Sequence, residues 1–217
     1  MFESEFKKFN HLKIHTQYSI CEGAIKIDEL KELSKEKKIK SLAICDTLNL
    51  CGALEFSEKI SKSGTQPLIS TQINFKTGNI IGLLPIYALN ENGYKKIIEL
   101  SSKYYLESNN ISDAFLDFNE LLSLNDGIAI FSGTVNGLFG KLFNNGKFSE
   151  VTKLYEKLRE KYNDKFYIEI QRHGDKNEKE FEIFNLSLSK KYQIPIIATN
   201  EVYYLDKEMH EAHDALM

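Results

Sequence analysis

Short apolar runs alternate along the chain with longer stretches of helical periodicity. The runs at 11–16, 41–45, 67–75, 79–89, 127–132, 166–171 and 194–199 are rich in Ile, Leu and Phe, as strands buried on both faces are. Between them, Asp28 is an N-cap type residue ahead of apolar positions at Leu30 and Leu33, and further helices are expected over 52–62, 91–105, 148–162 and 176–192. Gly64 before Pro67, and Gln193 before Pro195, separate a helix from the next strand. The segment 109–124 interrupts the alternation: it is polar, with a short helix at 119–124. Residues 208–217 read as a last helix with no Gly or Pro stop, the pattern of a terminal helix or of a chain cut from something longer. Seven strands with intervening helices predict a mostly parallel α/β fold, an open sheet or a closed barrel, in one domain over 1–217.

Composition narrows the class. With 42% apolar and 27% charged residues, 3 Pro and 12 Gly among 217, the chain is neither disordered nor collagen-like. No apolar run approaches the ~20 residues that span a bilayer, and the opening MFESEFKKFN carries no apolar signal segment, so no membrane partner is expected. Cys21, Cys45 and Cys51 form no C-x-x-C pair, which argues against a disulfide framework and a cysteine zinc site. A reduced, cytoplasmic protein is expected. The net charge is −3, and the basic stretch 31–40 is interleaved with Glu32 and Glu36, as on a solvated helix face. An autonomous nucleic-acid binder would show a basic excess instead.

Candidate chemistry gathers after the strands. His11, Lys13 and His15 alternate onto one face of the first run. Asp46 follows the second run, His173 the sixth, and Glu201 and Tyr203 the seventh. In parallel α/β folds the carboxyl ends of strands are where ligands bind. Two plainer roles stay open: the histidines as structural groups, and Asp46 as a cap on the next turn. Cys45 and Cys51 have the character of small packing residues, and Gly133, Gly137 and Gly140 do not make a phosphate loop.

A resemblance adds to this. His-Leu-Lys-Ile-His-Thr-Gln-Tyr-Ser-Ile-Cys-Glu-Gly at 11–23 and Leu-Ala-Ile-Cys-Asp-Thr-Leu-Asn-Leu-Cys-Gly-Ala-Leu-Glu-Phe at 42–56 resemble the polymerase-and-histidinol-phosphatase (PHP) domain that opens the bacterial DNA polymerase III alpha subunit. Ile-Phe-Ser-Gly at 130–133, Ile-Glu-Ile-Gln-Arg-His-Gly at 168–174, Ala-Thr-Asn-Glu-Val-Tyr-Tyr at 198–204 and His-Glu-Ala-His-Asp-Ala-Leu at 210–216 match later segments in order. The resemblance implies an α/β fold of PHP type, a distorted seven-stranded (β/α) TIM-like barrel. In active members its mouth holds up to three metal ions on nine side chains and hydrolyses phosphoesters, with imidazole and carboxylate ligands suited to zinc or manganese.

Carried over by position, the nine places fall on Lys13, His15, Glu22, Thr47, Gln72, Thr134, His173, Glu201 and Tyr203. Two keep a histidine, two keep a carboxylate, and five have lost their ligand. Lys13 brings an ammonium with no lone pair where a ligand should be. A vestigial cleft is therefore expected, with no metal or other cofactor; His15, Glu22, His173 and Glu201 are the only ligands left if any metal binds. The Lys13 ammonium should lie beside an acidic oxygen. The implied role is a structural platform that docks a proofreading exonuclease subunit, without catalysis of its own. The longer parent would be a DNA-directed DNA polymerase that uses magnesium and meets template-primer DNA through the rest of the alpha subunit. The alternative is a metal-dependent phosphoesterase or 3′–5′ exonuclease working with fewer ligands.

Overall fold

The computed structural model describes residues 9–107, 114–124 and 127–216. In chain order its elements are α1 (Ile27–Lys37), β1 (Ser41–Thr47), α2 (Ala53–Lys62), β2 (Gln66–Thr77), β3 (Ile80–Ala88), α3 (Glu91–Leu106), β4 (Leu116–Asp117), α4 (Phe118–Ser123), β5 (Ile128–Phe131), α5 (Leu138–Asn144), α6 (Phe148–Tyr162), β6 (Phe166–Ile170), α7 (Glu178–Tyr192), β7 (Ile196–Ala198) and α8 (His210–Leu216). Of the polar interruption, 109–113 lies outside the described residues, as does the last residue of the expected final helix. The chain divides into two compact units, Met1–Thr71 with Asn200–Met217, and Gln72–Thr199.

In the first unit β1 is covered on both faces, with Leu42, Ala43, Ile44, Cys45 and Asp46 all buried. Its neighbour is β2, which carries the chain into the second unit. The helix expected from Asp28 begins one residue earlier, with Asp28 and Glu29 in its first turn and Lys35 and Lys37 in its last. That order of charge complements the helix dipole. Ile27 and Leu30 form its buried stripe, and Ala53, Phe56 and Ile60 form that of α2. The run at 11–16 is not a continuous strand: Ile14 makes single parallel bridges to Ile44 and Val202, and Thr16 one to Ile25. The reason is local. The Thr16 N–H donates to the Asp46 carboxylate at 2.6 Å rather than to a strand, and the chain turns there.

The second unit is mixed rather than mostly parallel. Gly78, at φ 55, lets β2 turn back into β3 across two residues, a connection only antiparallel strands allow. Strand β3 is antiparallel to β5, with Ile86 opposite Ile130, while β5, β6 and β7 run parallel. The short β4 pairs with β2 through Phe75 and Leu116. Strand β7 is shorter than the expected 194–199 and is largely exposed, whereas Ile128, Ile130, Phe166 and Ile168 are fully buried. Tyr155 packs edge-on between Phe139 and Phe166, with ring centroids 4.8 and 5.2 Å apart.

Helix α5 was not legible in the sequence, because Gly140 within it argues against a helix. The structure explains Gly140: a Cβ there would meet the Val135 carbonyl at 2.1 Å, so only glycine allows this packing. The Asn90 side chain caps α3 by accepting from the Gly93 N–H.

Candidate functional site

The end of β1 organises the loops around it. Asp46 is 1% exposed, and its carboxylate accepts from the Thr16 backbone (2.6 Å), the Thr16 hydroxyl (2.8 Å to Oδ2) and the Ser19 hydroxyl (2.8 Å). The Ser19 oxygen in turn accepts from the Thr47 N–H at 3.1 Å. Asp46 thus ties residues 16–19 to β1: its carboxylate holds this earlier segment rather than capping the turn that follows the strand.

Lys13 lies on the same unit and is also 1% exposed. Its Nζ is 2.8 Å from Glu201 Oε1, the ion pair that the sequence calls for. His15 is fully buried beside it, with Nε2 at 3.7 Å from Glu201 Oε1 and Nδ1 at 3.9 Å from Glu22 Oε2. The Tyr203 ring stacks on the imidazole, centroids 4.5 Å apart and 18° from parallel. The Thr47 hydroxyl donates to Glu22 Oε2. Five of the expected site residues therefore share one cluster with Lys13: His15, Glu22, Thr47, Glu201 and Tyr203.

The cluster sets its own ionisation. Burial alone would raise the Glu201 carboxyl, but the Lys13 ammonium and the His15 imidazole outweigh it and hold the group well below the usual carboxylate range. Burial, reinforced by the Glu201 charge, pushes the Tyr203 phenol up, so it remains a neutral ring at physiological pH.

Gln72, Thr134 and His173 belong to the second unit. Gln72 is buried, 4% exposed. The Thr134 hydroxyl accepts from the Asn136 N–H at 3.1 Å, a turn contact. His173 is exposed; its backbone N–H, like that of Gly174, donates to the Glu178 carboxylate.

Sequence reasoning missed two features. In the first unit His213 of α8 reaches the Glu22 carbonyl at 2.6 Å and tilts over Tyr203, with centroids 5.8 Å apart. In the second, Glu169 is buried on β6, accepts from Gln171 and Thr199, and receives backbone support through Ser132. The signal for the second was a carboxylate in the middle of an apolar run, Phe-Tyr-Ile-Glu-Ile.

Comparison with known proteins places this geometry in a family. The PHP domain model matches residues 11–173. The chain belongs to the PHP domain family. Curated DNA polymerase III alpha subunits match over its length: that of Caulobacter vibrioides is 31% identical over 100% of this chain and 20% of its own, and that of Vibrio cholerae 30% identical over 95% and 18%. The chain thus spans about a fifth of the length of these relatives. Among solved structures, an amidohydrolase from Chromobacterium violaceum superposes with a TM-score of 0.52 over 95% of this chain and 96% of its own, at 7% identity, a likeness of fold alone.

The residues of this PHP domain do not fit the metal cluster that the family implies. Among the described residues no group of three or more His, Cys, Asp or Glu is arranged to hold a metal ion. In the first unit the two carboxylates face opposite nitrogens of the His15 ring, so a single ion cannot take His15 and both glutamates. Lys13 contributes positive charge at the place of a donor, and Glu201 Oε1 is committed to it. No reaction step through a metal follows from this donor set.

Two outcomes follow for this PHP domain. Lys13→Ala leaves Glu201 partly buried without its cation and should destabilise the domain by ~3–5 kcal/mol, the usual cost of breaking a buried pair. Lys37→Ala, whose partner Glu36 is exposed, should cost less than ~1 kcal/mol; urea denaturation of both variants measures the difference. The second concerns pH. A carboxyl held below its ordinary value stabilises the fold above the unfolded pKa and loses that contribution as pH falls. The stability gap between the parent and Glu201→Gln should stay constant from about pH 6 to 8 and shrink below about pH 4.3, the ordinary glutamate value.

Proposed function

We propose that this chain is the N-terminal PHP domain of a DNA polymerase III alpha subunit and that it serves as a non-catalytic platform. The names of the relatives and their fivefold greater length support the first part. The observation that carries the second is the 2.8 Å ion pair between Lys13 and Glu201, a protein-borne cation in the cleft where the family holds metal. On this reading the fold is a distorted (β/α) barrel of PHP type, and the site residues Lys13, His15, Glu22, Thr47, Glu201 and Tyr203 of the first unit are its vestigial cleft. The platform docks the proofreading exonuclease subunit. DNA synthesis, its magnesium and the grip on template-primer DNA reside in the rest of the alpha subunit, and the protein works in the cytoplasm.

Chemistry supports the assignment of roles. A phosphoesterase of this family needs clustered metals to clamp the attacking and leaving oxygens. An ammonium can neutralise a carboxylate, but it has no lone pair to bind a metal and no open coordination position for a water. The cleft can still hold loops together through charge and hydrogen bonds, which is what a docking platform requires.

Protein given excess zinc or manganese and then desalted should retain well under one ion per chain by elemental analysis. Retention of two or three ions would favour the phosphoesterase reading. The chain mixed with the exonuclease subunit of its own genome should co-elute in size-exclusion chromatography; separate elution would refute docking.

A further inference from the structure

We propose that the outward face of α7 is where two copies of this chain associate, the helix packing antiparallel against its own counterpart across a two-fold axis level with Asn185. The helix is apolar on two sides. Phe181, Asn185 and Leu188 form its buried stripe, and a turn of ~100° per residue places Ile183 opposite them. Ile183 is 60% exposed, and Leu186, nearly one turn on, is exposed as well. Phe184 widens the strip: its ring lies against Phe148 of α6, centroids 5.9 Å apart, and Phe148 is itself 47% exposed. A helix that is apolar on its solvent side has a second face to cover.

The charges on that face select a second copy as the occupant. Glu180 and Lys190 both lie within ~60° of Ile183 around the helix. Both are exposed, and neither makes an ion pair among the described residues. They stand five residues before and five residues after Asn185. Reversing the helix about that residue therefore brings the Glu180 of each copy level with the Lys190 of the other. An acid and a base set symmetrically about the centre of a helix are matched by the same helix run backwards, which is the self-complementarity of an isologous interface.

The same operation sets Ile183 level with the small Ser187 of the other copy, so the large side chain meets room rather than bulk. The two Ile183 side chains then flank the two-fold axis, ~6 Å apart along the helices, and close an apolar centre between the two ion pairs. Lys179 and Lys191 also come level, but they lie ~120° apart around the helix. Lys191 is moreover turned over its own Tyr192 ring, 4.7 Å from the centroid. Nothing in this pairing draws on the cleft residues, so it holds or fails apart from the platform role.

Sedimentation equilibrium of the 217-residue chain at pH 7 should show a reversible monomer–dimer equilibrium. Ile183→Asp should leave the chain monomeric. Glu180→Lys alone and Lys190→Glu alone should each raise the dimer dissociation constant at least about tenfold, because each sets like charges face to face. An equimolar mixture of those two variants should associate again, since the mixed dimer recovers opposite charges at both ends. Leu54→Asp, on an exposed leucine of α2, should change nothing. A parent chain that stays monomeric up to ~1 mM, where even a weak contact of about −4 kcal/mol is half formed, would overturn the proposal. So would single charge variants that dimerise as the parent does, or a mixture of the two that stays monomeric.

Discussion

A buried ammonium must have a counter-charge, and Lys13 meets that requirement through Glu201. Both residues sit on segments whose backbones are also joined: Val202 N–H donates to the Lys13 carbonyl at 3.0 Å, and His15 N–H to the Val202 carbonyl at 2.9 Å. The side-chain pair and this backbone ladder fix the same register, so residues 200–204 cannot slip along 13–15 without stranding the charge. From that register come the stacking of Tyr203 on His15, the approach of Glu22 to the opposite edge of the ring, and the reach of His213 over both. Lys13 is 1% exposed, so the solvation it loses is nearly complete. Its partner is therefore a condition of folding more than a source of net stability.

The contrast with a metal-bearing cleft is one of chemistry rather than charge. A divalent ion would draw several lone pairs toward one point and leave a position for substrate. An ammonium organises only acceptors, and Lys13 has Glu201 at 2.8 Å in that role. The other cleft positions follow suit: Thr47 donates a hydroxyl to Glu22, and Tyr203 presents a ring face instead of an imidazole nitrogen. Asp46 spends its carboxylate on the 16–19 turn. Thr47 and Asp46 are thus turned toward holding loops in place.

Much of this was legible in the sequence, and the rest failed for identifiable reasons. Lys13 alternating with His15, and Glu201 two residues ahead of Tyr203, announced the charged pair. Strands β1, β5 and β6 were legible because both their faces are buried, which leaves continuous apolar runs. Periodicity could not show that Thr16 would give its N–H to a side chain, which dissolves the first strand into bridges. Nor could it show that β3 runs against β5, because an apolar run has no direction. Helix α5 was hidden by the glycine that its close packing demands, and His173, grouped with the cleft by resemblance, is exposed with its backbone held by Glu178. Glu169 was overlooked because a single acid in an apolar strand looks like noise until its partners from the segments just after β6 and β7 are seen together.

The central claim is that Lys13 and Glu201 are energetically one unit. A double-mutant cycle with Lys13→Ala, Glu201→Gln and the pair, measured by urea denaturation at pH 7, isolates that coupling. The account predicts a coupling of about 2 kcal/mol, in the range found for residues in direct contact, with the double variant losing less than the sum of the singles. A coupling near zero, with the two losses simply additive, would contradict it.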